Sequence, residues 1–307
     1  MPSSRARGAT PHRTEESQEE STPSQSRVTI HISTMYRLRV PTLILVAARA
    51  AHSLSTTRIL DVALPKLPSG GELVLYEGLE DATDGESPES LEELFSVGGT
   101  VWPCAAALCR WLDENRELVQ GANILELGSG TGACGLFAAA SGAARVVMTD
   151  STPRLLRLME NNCERNKAAG NLPGLGSSTF VSFETLLWNS SPNPSGPFEL
   201  IIGSDCTYEF DEESHTDLAA TLDALLAASS APKIVLAHQH RNRSPGQAIE
   251  HWDDEDEPLQ SFQVALERHQ LEAHQLVWER PAEGSSNALL PLEGEDEISI
   301  IEVLRRA

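Results

Sequence analysis

A glycine-rich turn that follows a short apolar run constrains the fold of this chain more than any other feature. The stretch NILELGSGTGACG, residues 123–135, contains four glycines. The run from Ile124 to Leu127 has the length and branching of a buried strand. The glycines allow the backbone to turn tightly and to approach a ligand before a helix begins over residues 131–140. The pattern predicts a strand, a glycine loop and a helix N-terminus.

Two ligands are compatible with this loop. Residues 130–135 read G-x-G-x-x-G, and Asp150 lies 20 residues after Gly130, where a dinucleotide fold keeps its ribose-binding acid. A nicotinamide-dependent oxidoreductase is therefore one hypothesis. The same letters read E-L-G-S-G-T-G, with Glu126 two residues ahead of the first glycine. That pattern is similar to the S-adenosylmethionine (SAM) site of class I methyltransferases, and the loop alone leaves both hypotheses open.

Beyond the loop, strand and helix patterns alternate. Strands are predicted over residues 145–149, 179–183, 199–203, 233–238, 274–279 and 298–304, and helices over residues 152–169, 211–228 and 259–270. With the strand at Ile124 this makes seven strands. The alternation predicts an α/β fold with a doubly wound sheet, mostly parallel, that closes with a C-terminal antiparallel hairpin. This ending favours a methyltransferase, because a dinucleotide domain normally needs a separate catalytic domain.

Residues 61–307 are predicted to form one domain, with a strand and a helix in residues 70–120 and a core in residues 121–307. Leu73 to Tyr76 fit the strand, and an apolar face at helical spacing predicts the helix from Pro103 to about Val119.

Residues 1–60 are predicted to lie outside this domain. The first 30 are dominated by polar residues and proline, which indicates a disordered tail. From Met35, a basic start precedes an apolar centre from Val40 to Ala48, and this segment resembles a targeting sequence. No stretch reaches the roughly 20 apolar residues of a membrane span. We therefore expect a cytoplasmic protein, with organelle import if the segment is functional.

The net charge limits the kinds of partner, and the spacing of the cysteines limits the kinds of metal or disulfide site. The formal net charge of −22 argues against nucleic acid, because its phosphates would be repelled, and makes a basic partner easier to accommodate. The five cysteines are scattered and never in C-x-x-C spacing, so they predict neither a zinc site nor a disulfide framework. We expect no metal site.

Four segments carry a resemblance to a known family. They are GTVWPCAAALCRWL, NILELGSGTGACGLFAAASGAARVVMTD, LLWNS and FELIIGSDCTYEFDEESHTDL. Their order and spacing are similar to those of the seven-β-strand lysine methyltransferases of methyltransferase family 16, and the resemblance runs from about Val97 to Leu304. The glycine motif is common to all class I methyltransferases, whereas V-W-P and D-x-x-Y are more specific to this group.

The resemblance implies a Rossmann-like methyltransferase fold and a site for SAM. Asp150 would accept hydrogen bonds from both ribose hydroxyls, with capping of the next helix as the alternative. Two tryptophans would flank the cofactor, although either could instead be a core residue. The implied cofactor-binding residues are Trp102, Glu126, Gly128, Ser129, Gly130, Gly132, Asp150 and Trp188.

The resemblance also implies a target-lysine channel at Asp205 and Tyr208. A lysine side chain in water, with a pKa of about 10.4, must lose its proton before its nitrogen can attack a sulfonium methyl group. A carboxylate and aromatic walls can hold and orient that amine. Asp205 would bind the approaching ammonium, and Tyr208 would line the channel. His238 and His240 lie at the end of a predicted strand, where they would either border the substrate opening or, as is more common for histidines there, be structural or solvated.

These implications define the predicted function. We expect a monomeric SAM-dependent enzyme that methylates a lysine side chain of a protein substrate. The alternatives are a SAM-dependent methyltransferase of a small amine, a nicotinamide-dependent oxidoreductase, and a SAM-fold protein that binds partners without catalysis.

Overall fold

The computed structural model describes residues 64–77, 98–189, 192, 194–208, 211–228, 232–240, 256–276 and 298–306. The predicted tail and targeting segment, residues 1–60, lie outside these residues. The helices are α1 (Pro103–Glu114), α2 (Arg116–Val119), α3 (Ala133–Ala140), α4 (Pro153–Ala168), α5 (Glu212–Ala228) and α6 (Glu257–Arg268). The strands are β1 (Asn123–Leu127), β2 (Arg145–Asp150), β3 (Phe180–Thr185), β4 (Leu200–Ser204), β5 (Lys233–Gln239), β6 (Leu271–Gln275) and β7 (Ile298–Arg305).

The seven strands form one sheet in the order β3-β2-β1-β4-β5-β7-β6. Strands β1 to β5 pair in parallel, whereas β7 pairs antiparallel with both β5 and β6. The predicted fold class and terminal hairpin are therefore confirmed. The chain runs outward from β1 to β3 and then returns to β4 on the other side of β1. This reversal opens a crevice at the carboxyl ends of β1 and β4, where ligands of doubly wound folds bind.

Helices cover both faces of the sheet, which explains why its central strands are apolar at nearly every position. On one face, the buried side chains of α1, α3 and α4 pack against residues such as Ile124 and Ile202. On the other face, α5 and α6 pack against Leu125 and Ile201. Among the described residues, no helix is both long and apolar enough to cross a membrane.

Several predicted boundaries shift for local reasons. Helix α3 begins at Ala133 rather than at residue 131, because Gly132 has a left-handed φ of 79° at the N-cap. The helix predicted up to Val119 is interrupted at Asn115, between α1 and α2. The strand predicted over residues 274–279 begins earlier, at Leu271.

The predicted strand at Leu73 to Tyr76 is wrong, since residues 71–77 join no sheet. Asparagine side chains of α4 take the place of a neighbouring strand. Asn166 accepts from the N–H of Val74 (2.9 Å) and donates to its carbonyl (2.7 Å). Asn162 pairs with Tyr76 in the same way, at 2.8 and 3.2 Å. A carboxamide can do this because it carries both a donor and an acceptor, like a peptide group.

Asn162 also connects this segment to the glycine loop. Its amide group donates to the carbonyl of Thr131 at 2.9 Å, and its side chain is fully buried. The guanidinium of Arg165, on the same helix, stacks 3.4 Å from the centroid of the Tyr76 ring. Hydrogen bonds and stacking therefore connect residues 71–77 to α4, and α4 to the glycine loop.

We expect Asn166→Leu to lower the free energy of unfolding by about 1–3 kcal/mol, because it leaves the partly buried backbone groups of Val74 without their partners. Urea denaturation followed by circular dichroism measures this. Lys167→Ala is the matched control, since it removes an exposed ion pair on the same helix and should cost less than about 0.5 kcal/mol. Equal effects of the two variants would contradict the pairing role.

Candidate functional site

The glycine loop lies at the carboxyl end of β1, beside the crevice. Gly128, Gly130 and Gly132 have φ of 57°, 52° and 79°, a left-handed conformation that disfavours other residues. A Cβ at Gly130 would lie 2.6 Å from the carbonyl oxygen of Gly98, and one at Gly128 would lie 3.2 Å from the sulfur of Cys206. Gly128 and Gly130 are partly exposed, so their backbone is accessible to a ligand.

Ser129 ties the loop to β2. Its N–H donates to the carbonyl of Thr149 (2.9 Å), and its hydroxyl accepts from the N–H of Thr149 (3.1 Å). The side chain is buried. Its role in the structure is to hold the loop backbone, which sequence reasoning did not identify.

Glu126 lies beneath the loop and is almost completely buried. Its Oε2 accepts from the N–H of Gly135 at 3.0 Å, in the first turn of α3. A Cβ at Gly135 would lie 2.6 Å from this oxygen, so the fourth glycine of the motif leaves room for the carboxyl group. Burial raises the pKa of Glu126 to about 8, against the opposing effect of the hydrogen bond from Gly135.

Asp150 is the last residue of β2, and both of its carboxylate oxygens contact the loops around it. Oδ2 accepts from the N–H of Gly130 at 3.1 Å, and Oδ1 accepts from the N–H of Thr152 at 3.2 Å. Burial raises its pKa above the usual range. Each oxygen keeps a second lone pair, so both remain able to accept from a ribose diol. Thr152 occupies the N-cap of α4 but makes no side-chain capping bond.

The two tryptophans lie on segments that flank the glycine loop. The Trp188 ring is 3.4 Å from the position that a Cβ on Gly128 would take. The next residue, Asn189, donates its N–H to the Thr221 hydroxyl of α5 at 2.8 Å, which holds the segment. Trp102 is half-buried at the N-cap of α1, four residues after Gly98.

The D-x-x-Y sequence follows β4 directly, next to the loop. Asp205 is buried and has a φ of 56°, which is uncommon for a residue with a side chain. Its N–H donates to the carbonyl of Ala237 at 2.8 Å. The Cys206 thiol donates to the Leu127 carbonyl at 3.3 Å, and burial raises its pKa far above the usual range. Tyr208 is half-buried.

The structure therefore brings most of the predicted site residues to one end of the sheet. The partly exposed backbone of Gly128 and Gly130, the carboxylate of Asp150 and the ring of Trp188 all lie at this end. Sequence reasoning missed Asn162 and Thr221, which hold the loop and the Trp188 segment. The buried asparagines at i and i+4 of α4 were an available signal for the first of these.

We expect Glu126→Gln to change how stability depends on pH. A folded-state pKa of about 8 against 4.5 means that the folded protein binds this proton more tightly, so the wild type should lose stability as pH rises from about 4.5 to 8. The loss should be a few kcal/mol at most. Glutamine keeps an acceptor for Gly135 without titrating, and should abolish the loss. Urea denaturation of the cofactor-free protein at pH 5, 7 and 9 measures it.

Glu164→Gln serves as the control, because that side chain is exposed on α4. It should leave the pH profile unchanged. If the free energy of unfolding of the wild type does not change between about pH 4.5 and 8, the buried, protonated state of Glu126 is contradicted.

Comparison with known proteins identifies the family. The model of a lysine methyltransferase family matches residues 88–253, which is 166 of the 307 residues of this chain. A calmodulin-lysine N-methyltransferase of Arabidopsis thaliana is 30% identical over 58% of this chain and 55% of its own length. Protein N-lysine methyltransferase METTL21A of Danio rerio is 35% identical over 46% and 59%. The chain thus spans somewhat over half the length of these two relatives.

Another relative carries a different name. Histone-arginine methyltransferase METTL23 of Homo sapiens is 31% identical over 54% of this chain and 86% of its own length. Among solved structures, magnesium protoporphyrin IX methyltransferase from Synechocystis, with bound SAH, matches 72% of this chain and 90% of its own, with 16% identity and a TM-score of 0.41.

The family match decides between the two ligands that the glycine loop left open. It confirms SAM as the cofactor and does not favour the nicotinamide hypothesis. It also confirms the resemblance that the V-W-P, glycine-loop and D-x-x-Y sequences indicated. This chain belongs to the lysine methyltransferase family, methyltransferase family 16.

Proposed function

We propose that this protein is a SAM-dependent methyltransferase whose acceptor is the side-chain nitrogen of a lysine in a protein. The observation that carries the proposal is the coincidence of the family match with the site. Residues 88–253 contain the glycine loop, Asp150 and the D-x-x-Y sequence at 205–208, and all three follow the carboxyl ends of neighbouring strands.

The cofactor-binding residues act by shape and hydrogen bonding. SAM supplies a methyl group on a positively charged sulfur. The partly exposed backbone of Gly128 and Gly130 receives the methionine part, Asp150 accepts from the ribose hydroxyls, and Trp188 borders the adenine. Trp102 borders the cofactor from the α1 side. Glu126, Ser129 and Gly132 hold the loop backbone in place through their contacts with α3 and β2.

Asp205 and Tyr208 receive the acceptor amine. The carboxylate of Asp205 attracts the lysine ammonium, and the aromatic side chain of Tyr208 lines its approach. The left-handed backbone at Asp205 fixes the start of this loop against β5. Methyl transfer by in-line displacement needs alignment of the nitrogen and removal of water more than it needs strong acid–base groups.

The charge of the chain supports a basic protein substrate. A net charge of −22 attracts segments rich in lysine and arginine and speeds their encounter with the enzyme. It also opposes nucleic-acid binding.

Arginine is the second candidate acceptor, because the human relative that the chain covers to 86% is named a histone-arginine methyltransferase. The guanidinium group stays protonated at neutral pH and presents a planar fork of donors. An arginine acceptor would therefore need more hydrogen-bond acceptors from the carboxylates of the site than a single amine does.

Two further properties belong to the same proposal. We propose a monomer, which light scattering coupled to size-exclusion chromatography measures. We also propose a cytoplasmic location, with organelle import if the segment from Met35 acts as a targeting sequence.

We expect Gly130→Ala to weaken SAM binding by about tenfold or more, because the new Cβ would meet the Gly98 carbonyl and displace the loop. Calorimetric titration with SAM, and separately with NADH, measures this. Gly121→Ala is the matched control: φ there is 74°, yet nothing lies within 4 Å of its Cβ. It carries the same kind of backbone strain and should leave SAM affinity unchanged. Unaltered affinity in Gly130→Ala would remove the loop from the cofactor site.

We expect Asp205→Asn to lower methyl transfer by about a hundredfold while SAM still binds, because the carboxylate that attracts the amine is lost. Asparagine tolerates a left-handed φ, so the variant tests charge rather than backbone strain. The assay follows tritium from methyl-labelled SAM into cell-extract proteins. Glu213→Gln, which removes an exposed charge at the start of α5, should keep wild-type turnover.

The same assay identifies the acceptor. Extract proteins whose lysines have been acetylated with acetic anhydride should no longer accept label if lysine is the target, because an amide nitrogen is not a nucleophile. Retained label, recovered as methylarginine after acid hydrolysis, would favour arginine instead. Full turnover by Asp205→Asn would refute the role of Asp205.

A further inference from the structure

A buried network of polar side chains lies at the carboxyl end of β5, next to the D-x-x-Y sequence. Asp256 is at its centre: its Oδ2 lies 3.0 Å from Nε2 of His238 and 2.8 Å from Nδ1 of His240. The far nitrogen of His238, Nδ1, lies 2.6 Å from the hydroxyl of Thr207, and that of His240, Nε2, lies 2.8 Å from the hydroxyl of Ser299. All five side chains are buried.

The protons of this network can be assigned from its chemistry. An ionised carboxylate only accepts, so both histidines must donate to Asp256. Burial by itself would raise the pKa of Asp256, but the hydrogen bonds from His238, His240 and Leu259, together with the electrostatic attraction of His238, hold the pKa below the usual range. The far nitrogen of each histidine pairs with a hydroxyl group, that of Thr207 for His238 and that of Ser299 for His240.

The same three central side chains have the composition of a metal site. Ligand atoms around a tetrahedral zinc ion, bound at about 2.0–2.1 Å, would be about 3.3 Å apart. The observed separations of 2.8 and 3.0 Å are shorter and match hydrogen bonds between the side chains themselves. Direct hydrogen bonds between Asp256 and the two histidines therefore explain these distances better than a bound metal ion does.

Three consecutive residues of the D-x-x-Y sequence are anchored, each in a different way. The N–H of Asp205 bonds to the carbonyl of Ala237, the thiol of Cys206 bonds to the carbonyl of Leu127, and the hydroxyl of Thr207 bonds to His238. A left-handed backbone is unfavourable for a residue with a Cβ, so the conformation of Asp205 persists only where its surroundings hold it. Of these three anchored residues, Thr207 is the one that directly precedes Tyr208 in the chain.

We propose that His238, oriented by Asp256, is a positioning residue for methyl transfer, and that it holds Asp205 and Tyr208 in place through the hydroxyl of Thr207. This proposal rests on the proposed function, in which those two residues receive the acceptor amine. Asp256 also caps α6, since its Oδ1 accepts from the N–H of Leu259 at 3.1 Å. The position of the D-x-x-Y sequence, residues 205–208, is therefore coupled through Asp256 to the start of α6.

The test compares Thr207→Val, Thr207→Ser and Ser299→Ala with the wild type. Valine has the shape of threonine without its hydroxyl, whereas serine keeps the hydroxyl. Ser299→Ala breaks the same network at its far end and is the matched control. Hydrogen exchange by mass spectrometry reports on the peptide over residues 203–208, and kcat, KM and SAM affinity report on function.

We expect Thr207→Val to speed exchange in this peptide and to lower kcat, each by about tenfold, with SAM affinity unchanged. Thr207→Ser should restore both properties to within about twofold. Ser299→Ala should lower the unfolding temperature but leave exchange in the peptide and kcat within about twofold of the wild type.

Three results would overturn the proposal. The first is unchanged hydrogen exchange over residues 203–208 in Thr207→Val. The second is an equal change of exchange and kcat in Thr207→Val and Ser299→Ala. The third is one equivalent of zinc that is bound to the purified wild type and absent from Asp256→Asn. Hydrogen exchange does not depend on turnover. If the wild type methylates no protein at all, the proposed function fails while the exchange data still test the anchoring of the loop.

Discussion

The backbone at the carboxyl end of β1 must turn through three left-handed residues in a space that excludes side chains. Gly128, Gly130 and Gly132 meet that constraint, and the neighbouring elements are built around them. The Gly98 carbonyl lies closer to Gly130 than a side chain there would allow. The Cys206 sulfur leaves little room for a side chain at Gly128, and the Trp188 ring lies at contact distance from the same position. The segments that carry the predicted site residues thereby converge on one loop.

Polar side chains that act as substitutes for backbone partners hold this arrangement together. Asn162 and Asn166 pair with the backbone of residues 71–77 as a strand would. Ser129 pairs with the backbone of Thr149 near the end of β2. The D-x-x-Y sequence is also held by a buried polar contact, but there the hydroxyl of Thr207 bonds to another side chain, the ring of His238. Such bonds are directional and buried, so they fix the position of a loop more tightly than apolar packing does, and breaking one leaves an unsatisfied group.

Four carboxyl groups near the crevice have different environments and therefore different tasks. Burial raises the pKa of Glu126 to about 8, which suits a structural acceptor beneath the loop. Asp150 accepts hydrogen bonds from the N–H groups of Gly130 and Thr152. Asp205 is itself a left-handed residue, and its N–H bonds to β5. Asp256 is held ionised by two histidines and never contacts solvent. Sequence patterns cannot distinguish such roles, because each depends on what surrounds the carboxyl group in space.

Local periodicity, backbone freedom at glycine and motif spacing were enough to predict the succession of strands and helices, the glycine loop, the terminal hairpin and the family. The predicted strand at Leu73 to Tyr76 is wrong, since a short apolar run indicates an extended segment but not which partner it meets. Only the tertiary structure brought Asp256 to His238 and Thr207, or Asn162 to Thr131. Those contacts join residues far apart in the chain, and hydrogen bonds between them form only once the sheet has set their distances.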